Sequence, residues 1–217
     1  MTVKKWEFDQ AAAENFAAIA RREIPDYQRV IDLTINIIRK LGLANPKIID
    51  VGSAIGTTLQ ALYAAGFRNL YGVDSSAEML ARSFDKATLL QSNTFPEDHG
   101  PYDVIIANWV LHFIPERETY LQAIRRSLAP GGVLILTEKV AAGELANELY
   151  YDFKRANGVS EAEIAIKKQR LQGVLTTLPL EWYLVQLREL GFRAVEVVNA
   201  NTVFVTLLAG ALHVEHD

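Results

Sequence analysis

The sequence predicts an α/β protein built on a doubly wound, mostly parallel, seven-stranded sheet with an antiparallel C-terminal hairpin and an inserted helical cover. Short apolar runs alternate with helical segments over residues 46–138, which is typical of a parallel sheet buried on both faces. The alternation stops at residues 142–172, where two helical segments follow each other. Two further strand-like runs are joined by Asn-Ala-Asn at 199–201, and three turn residues favour a hairpin.

The N-terminal part, residues 1–45, predicts two helices that precede the sheet. Asp9 is the expected N-cap of a helix over 10–22. The second helix covers 26–42, because its apolar residues recur at three- and four-residue spacing until Gly42.

The remaining elements follow from short apolar runs that end at glycine or polar residues. The predicted strands cover residues 47–51, 69–73, 87–90, 102–107, 133–137, 194–198 and 202–208. The helices between them cover residues 57–65, 76–85, 116–128 and 179–190. The insertion predicts helices over 142–157 and 160–172, with Ser160 as a cap. We therefore expect one domain over 1–217, completed by the last helix and strands at 179–209.

The amino-acid composition excludes several classes of protein function. The chain has 217 residues, no cysteine and a formal net charge of −4. The charge gives no global signature of nucleic-acid binding, and the absence of cysteine excludes disulfides, thiolate catalysis and cysteine metal sites. Only four histidines occur, so we expect no metal site. No apolar run approaches the roughly 18 residues that span a bilayer, and the N-terminus is too polar for a signal peptide, which predicts a cytoplasmic protein without membrane contact.

Residues 50–56, Asp-Val-Gly-Ser-Ala-Ile-Gly, lie where the first predicted strand turns into a helix. Glycine lets a ligand approach the backbone closely, and the start of a helix offers free N–H groups. The spacing of Gly52 and Gly56, with Ala54 between them, does not match the G-x-G-x-x-G fingerprint of dinucleotide-binding folds. This segment alone is compatible with two interpretations, a ligand-binding loop and an ordinary tight turn.

Two polar residues at the ends of other strands favour the ligand interpretation. Asp74 ends the second strand, where a carboxylate accepts hydrogen bonds from ribose hydroxyls, although Asp74 or Ser75 also suits a helix N-cap. Asn108 ends the fourth strand. Ligands of open α/β sheets bind outside the carboxyl ends of the strands, and Gly52, Asp74 and Asn108 share that edge.

Four segments, in this order, resemble the class I S-adenosylmethionine (SAM)-dependent methyltransferases. They are residues 50–56, Val-Asp-Ser-Ser-Ala-Glu-Met-Leu at 73–80, Asn-Trp-Val-Leu-His-Phe at 108–113, and Leu-Ala-Pro-Gly-Gly-Val-Leu-Ile-Leu-Thr-Glu-Lys at 128–139. Nearly the whole chain is similar to the carboxy-SAM synthase family. That similarity rests on Trp6-x-Phe8-Asp9, Ile24-Pro25-x-Tyr27, Thr137-Glu138-Lys139 and Asp-Phe-Lys-Arg-Ala-Asn-Gly at 152–158.

The resemblance implies a Rossmann-like methyltransferase fold with a SAM-binding core at 46–138. It implies SAM, S-adenosylhomocysteine or carboxy-SAM as the bound cofactor, and a possible homodimer. The carboxy-SAM synthase family converts SAM and prephenate into carboxy-SAM, which serves tRNA wobble-uridine modification. The cofactor-binding residues predicted from the turn and the resemblance are Tyr27, Asp50, Gly52, Ser53, Ala54, Gly56, Asp74, Ser75, Asn93, Thr94 and Asn108. Asn93 stands where the family has aspartate, and its side-chain carbonyl still accepts a hydrogen bond.

A second departure concerns the substrate. Counted without gaps from residues 152–158, Lys168 falls on the arginine that recognises a carboxylate in the family. Lysine offers a point charge, whereas arginine offers a planar fork that fits a carboxylate. Lys168 is therefore a candidate substrate ligand, while Lys167 and Arg170 are expected on a solvated helix face.

Tyr27 and His112 are the candidates for a catalytic group. His112 follows the fourth strand, where a methyl acceptor would approach, and histidine titrates near neutral pH. A hydrogen-bonded, inert histidine is equally compatible with that position. Tyr150, Tyr151 and Phe153 either line a substrate cavity under the cover or serve packing.

Three functions are compatible with these residues. The first is a SAM-dependent methyltransferase that acts on a small molecule, for which the protein mainly orients the acceptor and excludes water. The second is a carboxy-SAM synthase, in which carbon dioxide released from prephenate is added to SAM and a cationic side chain holds the new carboxylate. The third is a SAM-binding protein without catalysis.

Overall fold

The computed structural model describes residues 4–210, which form a mixed seven-stranded sheet with helices on both faces. Residues 1–3 and 211–217, the two ends of the predicted domain, lie outside the described residues, and the latter include His213 and His216. Within residues 4–210 no helix is both long and apolar enough to cross a membrane. The same residues contain no group of three potential metal ligands.

The sheet has the strand order β3-β2-β1-β4-β5-β7-β6, as the doubly wound prediction requires. Its strands are β1 Ile48–Val51, β2 Leu70–Asp74, β3 Thr88–Gln91, β4 Tyr102–Asn108, β5 Leu128–Lys139, β6 Ala194–Asn201 and β7 Phe204–Gly210. Strands β1 to β5 pair in parallel, and β7 pairs antiparallel with both β5 and β6. The fold class predicted from the alternation of strands and helices is therefore confirmed.

Eight α-helices surround the sheet over the described residues. They are α1 Gln10–Glu23, α2 Tyr27–Lys40, α3 Thr57–Ala64, α4 Ala77–Leu80, α5 Arg117–Arg126, α6 Glu144–Ala156, α7 Glu161–Leu171 and α8 Leu180–Glu189. Asp9 caps α1 by accepting from the N–H of Ala12, and Ser160 caps α7 in a reciprocal box with Glu163. Both predicted caps are confirmed.

Three boundaries differ from the prediction. Residues 199–201 belong to β6, and the hairpin turns instead at Thr202 and Val203, where Thr202 adopts a φ of 51°. Helix α4 is one turn long because the chain after it folds back against Gly56. Strand β5 begins at Leu128, before the glycines that were expected to separate a helix from a strand.

The helical insertion covers the carboxyl edge of the parallel strands. One face of the sheet packs on α2 and α3 and the other on α5 and α8, so apolar side chains fill both sides. Helices α6 and α7 follow β5, and Tyr150 of α6 packs against Phe204 of β7. The ends of β1, β2 and β4 therefore open into a space that is closed by α1, α6 and α7.

Candidate functional site

A cavity of about 800 Å³ lies at the carboxyl edge of the sheet. Its wall contains all the predicted cofactor residues except Gly56 and Thr94, and it also contains His112, Tyr150, Tyr151 and Lys168. Phe153 is not part of the wall. Side chains from the first strand, the N-terminal helices and the cover thus meet in one space, as the position of the strand ends predicted.

The turn after β1 is too tight for side chains at its first position. Gly52 has a φ of 65°, and a Cβ added there would lie 2.6 Å from a methyl carbon of Val110. Ala54 is held in the same left-handed region, with a φ of 47°. A non-glycine residue in that region costs on the order of 1–3 kcal/mol, and such strain concentrates at ligand sites.

Asp74 holds this turn open toward the cavity. Its carboxylate accepts from the N–H of Ala54 at 2.9 Å and from the N–H of Ser76 at 2.9 Å. Each oxygen keeps a further lone pair, so hydroxyl groups of a ligand can still donate to Asp74. Burial raises the pKa of Asp74 above its ordinary value, although these hydrogen bonds oppose the shift.

Asp50 is the second acidic group at this end. Burial, together with the nearby charge of Asp74, raises the pKa of Asp50 to about 8. Beside it, the hydroxyl of Ser53 is buried without a hydrogen-bond partner among residues 4–210. An unpaired buried hydroxyl is costly, and a polar ligand that fills the cavity would supply the missing partner.

The ends of α2 and β4 complete this part of the wall. Tyr27 stacks on Trp109 with ring centroids 4.7 Å apart. Asn108 accepts from the hydroxyl of Thr137 at 2.6 Å and donates to Thr34 at 3.4 Å. These contacts fix the amide of Asn108 at the strand end, where the fold brings it beside the turn of β1.

Two predicted cofactor residues lie elsewhere. Gly56 precedes α3, and a Cβ there would lie 2.7 Å from the backbone nitrogen of Phe84, which gives the glycine a packing role. Thr94 is exposed, and Ser92 accepts from its backbone N–H at 3.1 Å. Asn93 does line the cavity.

A cluster of lysines, which the sequence analysis did not foresee as a group, lines the other end of the cavity. We define the lysine cluster as Lys139, Lys154, Lys167 and Lys168, together with one carboxylate, Glu23. Nζ of Lys154 and Nζ of Lys167 lie 3.0 and 2.7 Å from Oε2 of Glu23. Lys139 and Lys168 form no ion pair within the described part of the chain. Four cationic side chains thus face a single anionic one.

The pKa shifts in the cluster follow from burial and crowding. Burial, and then the neighbouring lysines, lower the pKa of Lys139 to about 8. Burial alone would raise the pKa of Glu23, but Lys167 and Lys154 outweigh it, so the pKa of Glu23 lies below its ordinary value. The cluster would be stabilised by a further anion.

The expectation that Lys167 and Arg170 face solvent is wrong. The N-terminal segment crosses α7, and the N–H of Trp6 donates to the carbonyl of Arg170 at 2.8 Å. The Trp6 ring lies between the two cations, 4.7 Å from Nζ of Lys167 and 5.0 Å from the guanidinium of Arg170. A helix-face pattern cannot reveal a contact made by residues about 160 positions away.

Lys168 lies in the cavity wall as a candidate ligand should. Its Nζ lies 5.9 Å from the centre of the Tyr151 ring. His112 also lines the cavity, and Nδ1 of its ring lies 2.9 Å from Oε2 of Glu138. Glu138 is a site residue that sequence reasoning missed, although it belongs to the Thr137-Glu138-Lys139 segment at the end of β5.

The two ends of the cavity suit the parts of SAM. The polar groups of a nucleoside and an amino acid would fit this end, which offers the carboxylate of Asp74, the unpaired buried hydroxyl of Ser53 and the tight turn at Gly52. When bound, SAM supplies a methyl group on a positively charged sulfur. The lysine cluster then remains for a second, anionic group.

The comparisons agree with this geometry. A family model described as "Methyltransferase domain" matches residues 19–196. Two relatives are named carboxy-S-adenosyl-L-methionine synthase. The one from Nautilia profundicola is 31% identical, with 95% of this chain and 94% of the relative covered. The one from Helicobacter hepaticus is 32% identical, with 95% of each covered.

Solved structures show the same fold at low identity. Magnesium protoporphyrin IX methyltransferase from Synechocystis, with bound SAH, matches with a TM-score of 0.66 and 16% identity over 94% of this chain and 95% of that one. A SAM-dependent methyltransferase from Archaeoglobus fulgidus matches with a TM-score of 0.59 and 14% identity, covering 83% and 94%. The chain is therefore a SAM-dependent enzyme of the class I methyltransferase superfamily, and within it belongs to the family of the carboxy-SAM synthases.

Proposed function

We propose that this enzyme transfers the methyl group of SAM to a small acceptor that carries a carboxylate. The observation that carries the proposal is the lysine cluster, which lies in the same cavity as Asp74 and the turn after β1. Cations removed from water are normally paired, yet the partly buried Lys139 has no carboxylate partner within the described residues, and neither has Lys168, which is exposed at the cavity wall. A carboxylate on the acceptor would supply that partner.

In this proposal the cofactor lies between Tyr27, Ser53, Asp74, Ser75 and Asn108. The cover and the N-terminal segment exclude water and orient the acceptor against the methyl group. Such orientation supplies most of what methyl transfer requires from a protein. The cavity volume of about 800 Å³ fits a cofactor and one small substrate, and it does not suit a folded nucleic acid.

A second candidate, carboxy-SAM synthesis from SAM and prephenate, is favoured by a different observation. The relatives named for that activity match over 94–95% of their length, and Lys168 lines the cavity at the position predicted for the carboxylate ligand. We rank it second because an ammonium lacks the bidentate fit of the predicted arginine. A tRNA-modification role, a homodimer and a cytoplasmic location stay predictions that accompany this candidate.

Mass spectrometry of the small molecule released from freshly purified, denatured protein tests the proposal first. Release of the demethylated product, S-adenosylhomocysteine, supports methyl transfer, whereas SAM is compatible with both candidates. A species one carboxyl group heavier than SAM supports the second candidate and contradicts our ranking.

Incubation with SAM labelled in its methyl group then separates the reactions. We expect label in a small acid when the protein is given a panel of carboxylic acids. Label retained in a heavier SAM, formed only with prephenate, would contradict methyl transfer. Lys168→Met should reduce either reaction, whereas Lys86→Met, an exposed lysine outside the cavity, should leave it unchanged.

A further inference from the structure

His112 is the first member of a chain of buried side chains that are linked by hydrogen bonds. Nδ1 of His112 lies 2.9 Å from Oε2 of Glu138, and the hydroxyl of Tyr183 donates to the same oxygen at 3.1 Å. The N–H of Leu111 donates to the other oxygen of Glu138 at 2.9 Å. Arg117 donates to the hydroxyl of Tyr183 at 3.1 Å and so continues the chain to the opposite side. Every member of the chain has a defined partner.

These partners determine which ring nitrogen of His112 carries hydrogen. Burial, and then the charge of Glu138, raise the pKa of Tyr183 far above its ordinary value, so its hydroxyl keeps its proton. Since Arg117 donates to that hydroxyl, the proton of Tyr183 points to Glu138. Glu138 therefore accepts at both oxygens, and Nδ1 of His112 donates to Oε2. Nε2 is left with a lone pair.

His112 presents that lone pair inside the substrate cavity. The residue is only 4% exposed, yet it is part of the cavity wall, four residues after Asn108 at the end of β4. Nε2 has no hydrogen-bond partner in the stretch from residue 4 to residue 210. Titratable groups that share this cavity are the lysine cluster with Glu23 on the cover side and Asp50 and Asp74 on the strand side.

We propose that His112, held by Glu138, is the general base of the reaction and that the atom methylated is the oxygen of a hydroxyl group. The proposal rests on the methyl transfer proposed above and narrows its acceptor to a small hydroxy acid. The carboxylate would bind the lysine cluster, and the hydroxyl would donate to Nε2 of His112.

The proposed reaction is a nucleophilic displacement at the methyl carbon. The acceptor O–H bond breaks and its proton passes to Nε2. The oxygen forms a bond to the methyl carbon, and the pair of the broken carbon–sulfur bond stays on sulfur. The imidazolium, stabilised by Glu138, then releases its proton to water. A carboxylate acceptor is already ionised and needs no base, so a positioned histidine favours an acceptor that must lose a proton, which in this proposal is a hydroxyl.

The activity test compares His112→Gln with His99→Gln, an exposed histidine outside the cavity. With a panel of hydroxy acids, we expect His112→Gln to lower kcat by about 10²- to 10⁴-fold, since that is the usual contribution of a general base. The Kd of SAM, measured by calorimetry, should stay unchanged in both variants. A kcat within threefold of the parent enzyme for His112→Gln overturns the proposal.

A second readout does not depend on turnover. Nitrogen-15 NMR of the ligand-free protein should show His112 with hydrogen on Nδ1, and Glu138→Gln should abolish that preference. Hydrogen on Nε2 in the parent protein overturns the proposal whatever the activity is.

The panel of acceptors distinguishes a failure of the hydroxyl assignment from a failure of the proposed methyl transfer. If the parent enzyme methylates only amines or carboxylates, the hydroxyl assignment is wrong while methyl transfer stands. If it methylates none of the acids, the proposed function fails together with this inference. Methylation confined to hydroxy acids, and dependent on His112, is the expected result.

Discussion

The two ends of the cavity are lined by titratable groups of opposite kind. The strand end presents Asp50 and Asp74, which come from β1 and β2, whereas the cover end presents the lysine cluster around Glu23. The acidic end suits a ligand with hydroxyl groups and a positive centre, and the cationic end suits a carboxylate. In the proposed function this difference assigns the cofactor and the acceptor to separate ends of one cavity, each lined by elements from different parts of the chain.

The largest effect should follow from removing the single carboxylate of the cationic end. Glu23→Gln leaves Lys154 and Lys167 without a partner in a buried place, and breaking a buried pair in this way costs about 3–5 kcal/mol. Urea denaturation at pH 7 measures the free energy of unfolding. Glu14→Gln alters only exposed contacts, the ion pair with Arg82 and a hydrogen bond from Gln10, and should cost less than about 1 kcal/mol. Equal losses in both variants would contradict the role of Glu23.

The next largest effect is expected on SAM binding at the acidic end. Asp74→Ala should weaken SAM binding by about 10- to 100-fold, because hydrogen bonds to a charged group contribute about 1.5–3 kcal/mol. Calorimetric titration measures the Kd, and thermal unfolding checks that the fold is intact. Asp85→Asn, at an exposed carboxylate outside the cavity, is the matched control. An unchanged Kd in Asp74→Ala would remove the ribose assignment.

The acidic end could be predicted from the sequence, and the reason is topological. Asp74 and Asn108 each end a short apolar strand, and the carboxyl ends of parallel strands meet at one edge whatever the rest of the fold does. The turn after β1 follows the same rule. Local spacing and strand order therefore suffice for this half of the site.

At the cationic end only Lys168 was predicted, from the family resemblance, and the cluster as a whole could not be predicted because its members meet only through tertiary packing. Lys154 and Lys167 approach Glu23 across more than 130 residues of sequence. The helical pattern of α7 gives the direction of a side chain relative to its helix, but not the element that packs against it. Lys139 ends β5, but its sequence context does not distinguish it from a surface lysine.

The pH dependence of acceptor binding tests the cationic end, and the Lys139→Met variant separates it from Asp50, whose pKa of about 8 places its ionisation in the same pH range. The pKa of Lys139 is lowered to about 8, so Lys139 is charged below that pH and loses its charge as the pH rises through it. We expect the Kd for a carboxylate ligand to rise several-fold, up to about tenfold, between pH 7 and pH 9. Lys139→Met should flatten this dependence. A parent Kd that is constant over this range would contradict the role of Lys139.

The smallest effect is expected from a variant that changes the geometry of one cationic group at the cationic end and keeps its positive charge. Lys168→Arg replaces a point charge by a planar fork, which fits a carboxylate with two parallel hydrogen bonds. We expect the Kd of carboxy-SAM to fall by about 3- to 10-fold while the Kd of SAM stays constant, because SAM lacks the extra carboxylate. Lys86→Arg, outside the cavity, should change neither value. If Lys168→Arg strengthens both ligands equally, Lys168 contacts a part that they share, and the division of the cavity into an acidic cofactor end and a cationic substrate end would have to be redrawn.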